Sequence, residues 1–109
     1  MYNHFTKNIL KQVTSEDGVI LENQTKYTVN DSFSAMEIYI SDSKISYRVY
    51  ADAYGLAMIK WLQIKLSNKE SINNISLDSL IKIFSLPKTK YRNALQLINL
   101  IEKINEDFV

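Results

Sequence analysis

In "AMEIYISDSKISYRVY" two stretches with apolar residues at alternate positions flank a polar turn. Met36, Ile38 and Ile40 fall on one face of a strand, and Ile45, Tyr47 and Val49 on one face of the next. The polar "SDSK" between them supplies turn chemistry. The segment therefore predicts an antiparallel hairpin with one wet face, which carries Glu37, Ser46 and Arg48. Upstream, "VILE" and "KYTV" are β-branched and aromatic and are separated by the polar "NQT", which predicts a second hairpin.

Elsewhere the period lengthens. Phe5, Ile9 and Val13 recur at i, i+4 and i+8, the stripe of a short amphipathic helix. "TSEDG" ends it, with Gly18 able to take a positive φ. From Ala53 to about Leu66 only Lys60, Gln63 and Lys65 interrupt the apolar residues after Gly55, so this helix is expected to be largely buried across the sheet. Ser76 is placed to cap a third helix, with Leu77, Leu80, Ile81 and Phe84 at i, i+3, i+4 and i+7. Pro87 stops it by disfavouring the helical conformation of Leu86. A last helix, from about Thr89 to Asn105, is expected to turn Ala94, Leu95, Ile98, Ile101, and Ile104 or Phe108 inward. Strands followed by helices, without βαβ alternation, predict an α+β domain: a small antiparallel sheet of about three to four strands with helices packed on one face.

Composition narrows the function more than the fold. At 109 residues the chain is one domain, residues 1–109, with 46% apolar and 23% charged residues. A formal charge of +1 gives no general attraction to nucleic acid or to acidic membranes. The absence of cysteine excludes disulfides, thiolate nucleophiles and cysteine metal sites. No apolar run approaches the roughly 20 residues that span a bilayer, and "MYNHFTKNILKQV" lacks the apolar core of a signal peptide. The expectation is a soluble, cytoplasmic protein without cofactor or metal.

Asp52 stands where the alternating pattern of "SYRVY" gives way to helix. A carboxylate there accepts hydrogen bonds from free backbone N–H groups and meets the positive end of the helix dipole. His4, the sole histidine, has no partner at a metal or triad spacing and reads as solvated. Glu16–Asp17 and Glu106–Asp107 read as solvated helix ends or loops. Tyr39 and Tyr50, on the strand face opposite Met36 and Val49 and flanked by Arg48, offer an aromatic surface for a protein or, with less support from the balanced charge, for nucleic acid. Lys88, Lys90 and Arg92 cluster at a helix start, where cations oppose the dipole and suit an acidic partner. Ser32 has no assignable base and is not a nucleophile on its own. No nucleophile–base set can be assembled, which argues against a free-standing enzyme.

From about Val29 to Glu102, some two thirds of the chain, the order of elements resembles the SufE family of sulfur acceptors, which shares its fold with the IscU/NifU cluster scaffolds. In that family a Gly-Cys-x-Ser loop enters a strand, a Ser-Asp-Ala motif opens a buried helix, and a Ser-Arg-x-x-Gly-Leu motif opens the last helix. Here "NDSFSAMEI", "YADAYGLAMI" and "KYRNALQLI" stand in those places. Asp52 and Ala53 match the Asp-Ala pair, and Ser34 the serine after the loop. Ser32 stands where the family has its cysteine, Ala94 replaces a glycine, and Arg92 lies one step from the family's arginine, whose place Tyr91 takes. The portion preceding the match is shorter than in that family.

A persulfide must be carried on sulfur, which a serine hydroxyl cannot replace. The resemblance therefore implies either a relative that still docks on a partner or a similar fold put to another use; a cysteine in place of Ser32 would imply a sulfur acceptor. The leading expectation is a non-enzymatic protein-binding module. Ser32, Ser34, Asp52, Lys90 and Arg92 would be its partner-binding residues, and a cysteine desulfurase or iron–sulfur assembly factor its partner. The alternative is a small nucleic-acid-associated or phage or plasmid accessory protein, supported by the aromatic strand face and the Lys88–Arg92 cluster.

Overall fold

The computed structural model describes residues 2–107 and shows an α+β domain built on a three-stranded antiparallel sheet. Strands β1 (Thr25–Asn30), β2 (Ala35–Ile40) and β3 (Ile45–Tyr50) lie in that order. Met36 stands opposite Val29 and Val49, and Ile38 opposite Tyr27 and Tyr47, so one face of the sheet is apolar across all three strands. Helix α2 (Ala53–Ser67) lies over β3 and α4 (Tyr91–Asp107) over β1 on that face. Helices α1 (His4–Lys11) and α3 (Leu77–Phe84) close the core from beyond, α1 against α2 and α3, and α3 against α4. Two helices thus cover the sheet directly. Among the described residues, no helix is long and apolar enough to cross a membrane.

The β2–β3 hairpin and the starts of α2 and α3 follow the sequence pattern. Ser76 Oγ accepts from the Ser79 N–H at 3.1 Å. The helix it opens stops at Ser85, whose φ of 51° lies in the left-handed region, two residues before Pro87.

Five expectations are corrected. "VILE" is not a strand: residues 19–24 form a loop held to the sheet by the side chains of Gln24 and Ser46. Gln24 accepts from the Leu21 N–H at 2.7 Å, and its Nε2 donates to the carbonyls of Tyr39 and Lys44 and to Ser46 Oγ. Ser46, expected wet, is consequently buried and donates to the Val19 carbonyl at 2.7 Å. Gly18 does not need its conformational freedom, because residues Ser15–Gly18 form a tight helical turn with no positive φ.

Asp17 is the fourth correction. It is buried, because its carboxylate closes that turn by accepting from the Thr14 N–H and points inward at Lys60, Tyr47 and Gln63. Lys60 and Gln63, polar interruptions of α2, are buried with it. Lastly, Leu95 is 51% exposed while Leu97 and Leu100 are fully buried. The buried arc of α4 runs through Ala94, Leu97, Ile101 and Ile104 and takes in Asn93 and Gln96, leaving Leu95 outside it. Phe108 lies outside the described residues.

Candidate functional site

Three chain junctions meet at one end of the sheet. In the β1–β2 turn, Asp31 Oδ1 accepts from the backbone N–H groups of Phe33 at 2.8 Å and Ser34 at 2.9 Å. Those two bonds hold its carboxyl below the ordinary value, with Arg92 adding a smaller attraction. The tight turn throws Phe33 outward, leaving it 76% exposed. Ser32 is exposed beside it, and Ser34 donates to Gln96 Oε1 of α4 at 2.9 Å.

The second junction joins β3 to α2. Asp52 caps the helix, its Oδ1 accepting from the Gly55 N–H at 3.1 Å and from Asn93 Nδ2 of α4 at 2.9 Å. Its other oxygen pairs with Lys90. Burial alone would raise the Asp52 carboxyl; the bonds from Lys90 and the Gly55 N–H outweigh it and hold the group below its ordinary value. Lys90 is raised in turn by its bond to Asp52. The joint is tight: a Cβ at Gly55 would fall 2.5 Å from that of Ala51. Asp52 is therefore a cap, an interhelix tie and half of an ion pair.

The start of α4 supplies the third side. The Arg92 guanidinium lies over the Phe33 ring, 4.6 Å from its centroid. Phe33, Ser34, Tyr50, Asp52, Lys90 and Arg92 surround an open hollow of about 540 Å³. Ser34, Asp52, Lys90 and Arg92 are thus gathered on one rim, with Ser32 in the turn at its margin.

The Lys88–Arg92 cluster is less available than its composition indicates. Asp52 answers Lys90, and Arg92 is stacked on Phe33, while Lys88 is exposed. The aromatic strand face is only half open as well. Tyr39 is 8% exposed and donates to Glu37 Oε1 at 2.7 Å, whereas Tyr50 is 70% exposed. His4 is exposed at the first position of α1.

Among the described residues, no group of three or more His, Asp or Glu side chains is placed to hold a metal. With Ser34 and Asp52 engaged in structural bonds, the rim offers an exposed aromatic pair, a stacked guanidinium and a paired ammonium. These are groups for recognition. Sequence reasoning missed Phe33, Asn93 and Gln96. The two amides carried a usable signal, because both stand on the inward arc of an amphipathic helix, where a polar side chain needs a partner. Neither a protein-family model nor a curated protein sequence matches this chain.

Proposed function

We propose that this chain is a non-enzymatic protein-binding module that docks on its partner through the rim formed by Phe33, Tyr50, Asp52, Lys90 and Arg92. One observation carries the reading: Phe33 and Tyr50 are 76% and 70% exposed, and both stand at the hollow that Arg92 borders. Aromatic and arginine side chains dominate binding energy at protein interfaces. Ser34 and Asp52, between them, are already fixed by Gln96, Asn93 and the Gly55 N–H, which lowers the ordering cost of docking at those two groups. The resemblance to the SufE family supports a cysteine desulfurase or another iron–sulfur assembly factor as the partner class. With Ser32 in place of the family's cysteine, docking proceeds without sulfur carriage. The nucleic-acid alternative has less support, because Tyr39 is closed and Lys90 is neutralised by Asp52.

The test is a calorimetric titration of the purified cysteine desulfurase from the same source with the wild-type chain and with the Phe33→Ser/Tyr50→Ser double variant. The wild type should bind, and the variant should bind about tenfold or more weakly while keeping its circular dichroism spectrum. Equal affinity of the two proteins would reject the rim. Absence of binding to the desulfurase, and of any iron–sulfur assembly factor from a pull-down, would reject the partner class.

A further inference from the structure

The outer edge of β1 carries peptide groups that the sheet does not use. Across the β1–β2 turn the Asp31 N–H donates to the Ser34 carbonyl at 2.9 Å. Bonded and non-bonded pairs alternate along an antiparallel ladder. With Val29 opposite Met36 and Tyr27 opposite Ile38, that alternation turns the peptide groups of Val29 and Tyr27 toward β2 and those of Lys26, Thr28 and Asn30 outward. The Thr28 carbonyl agrees with this phase, because it accepts from Lys103 Nζ at 2.7 Å from beyond the edge.

The opposite edge is partly covered. On β3 the Ile45 carbonyl accepts from Gln63 Nε2 at 2.8 Å, and the turn Ser15–Gly18 lies against the strand. Along β1, by contrast, an open groove of about 720 Å³ runs between the strand and α4, bordered by Thr28, Asn30, Leu95, Asn99 and Glu102.

We propose that this groove takes an extended segment of a partner protein, which adds to the β1 edge as a fourth strand. Exposed strand edges bind peptides in this way, main-chain bonds giving affinity and side-chain pockets giving selectivity. Sterics choose between a bare segment and a second copy of the chain. Neighbouring strands lie about 4.8 Å apart, whereas packed helices need about 8–10 Å between axes. A second copy joined β1 to β1 would bring its own α4, which covers its β1, to about one strand spacing from this α4. A strand without an overlying helix avoids that clash.

Charge sets the chemistry of the segment. Helix α4 runs antiparallel to β1, with Arg92 near Asp31 and Lys103 on Thr28. Arg92 therefore marks one end of the groove, half-exposed Leu95 follows, and Glu102 and Glu106 mark the other end. The matching segment carries an acidic residue toward Arg92, an apolar residue against Leu95, and a basic residue toward Glu102 and Glu106. Lys103 leaves the Thr28 carbonyl, and a strand N–H replaces it. The inference rests on the docking reading of the rim, since Arg92 borders both the rim hollow and the groove and the segment would continue from one into the other.

A displayed library of random linear peptides, selected on the immobilised full chain, tests the groove without the rim's partner. Enrichment of segments with acidic, apolar and basic residues in that order is expected. The selected peptide should slow amide hydrogen exchange at Lys26, Thr28 and Asn30 by about tenfold or more. Thr28→Pro removes an outward N–H, which a sheet edge tolerates, and should weaken the peptide about tenfold or more. Leu95→Asp, on an exposed helix position, should do the same if the proline variant fails to fold. No enrichment, protection elsewhere than at those three amides, or unchanged binding by a folded variant would overturn the inference. Because the peptide assay contains no desulfurase, its failure is distinguishable from failure of the rim, which is read by Phe33→Ser/Tyr50→Ser against the desulfurase.

Discussion

Asp17 and Lys60, 43 residues apart in the chain, meet at 3.0 Å in the protein interior. The same carboxylate accepts from the Tyr47 hydroxyl at 2.9 Å, and Lys60 donates also to Gln63 Oε1 at 2.7 Å. The cluster ties the Ser15–Gly18 turn, β3 and α2 together. Among the described residues, no buried side-chain nitrogen or oxygen lacks a partner.

Removing one member of a buried ion pair strands the other, at about 3–5 kcal/mol. Asp17→Ala should lower the unfolding free energy by that amount in a urea titration. The double variant Asp17→Leu/Lys60→Met, which removes both charges, should recover a large part of the loss. A single-variant loss below about 1 kcal/mol would show that Lys60 finds water instead.

Acid should act through the same group. Burial by itself would raise the Asp17 carboxyl, but bonds from the Thr14 N–H, Lys60, Tyr47 and Gln63 hold it below its ordinary 3.8. A carboxyl lowered by folding contributes its full stability above the unfolded value and loses it as pH falls through the folded one. Wild-type unfolding free energy should therefore drop below about pH 4. Asp17→Asn should drop less steeply, with the remaining slope coming from Asp31 and Asp52, whose carboxyls are also lowered. Parallel profiles for the two proteins would contradict this.

Asp52 separates capping from charge. Asparagine caps as well as aspartate, so Asp52→Asn should cost under about 1 kcal/mol, the worth of its partly exposed pair with Lys90. Asp52→Ala removes the cap and also leaves Asn93 without its acceptor, and should cost about 1–2 kcal/mol. Equal losses in thermal melts of the two variants would mean that the ion pair, and not the cap, sets the joint.

The glycines should respond in opposite directions. Gly55→Ala drives a Cβ to 2.5 Å from Ala51 Cβ and should destabilise by about 1–3 kcal/mol, despite alanine's better helix propensity. At Gly18 the nearest outside atom to an added Cβ is 3.9 Å away and φ is ordinary. Gly18→Ala should accordingly stabilise by about 0.4–1 kcal/mol, read as a higher melting temperature.

The features legible in the sequence are those set by neighbours along the chain. Alternation between Met36 and Val49 specified the hairpin, and Asp52 and Ser76 marked helix starts, because period and cap chemistry are local. The buried polar cluster was not legible, since Asp17, Tyr47, Lys60 and Gln63 make one another's burial tolerable and no one of them signals it alone. Ser46 escaped for a similar reason: its face is dry only because Gln24 pins a loop over it. On α4, Leu95 and Leu97 are equally apolar, and Leu97 is the one that shares the helical arc of Ala94, Ile101 and Ile104, which packs against β1 and α2. At the rim, Asp52 and Arg92 stood out by charge and position, whereas nothing in the pattern around Phe33 signalled that the Asp31 turn would leave it exposed.

The double employment of Asp52 limits how the protein can diverge. Drift at that position would retune the rim only by loosening the seam where sheet passes into helix. Phe33 and Tyr50 stand clear of the interior, so selection for a new partner can rewrite them while the domain keeps folding as before.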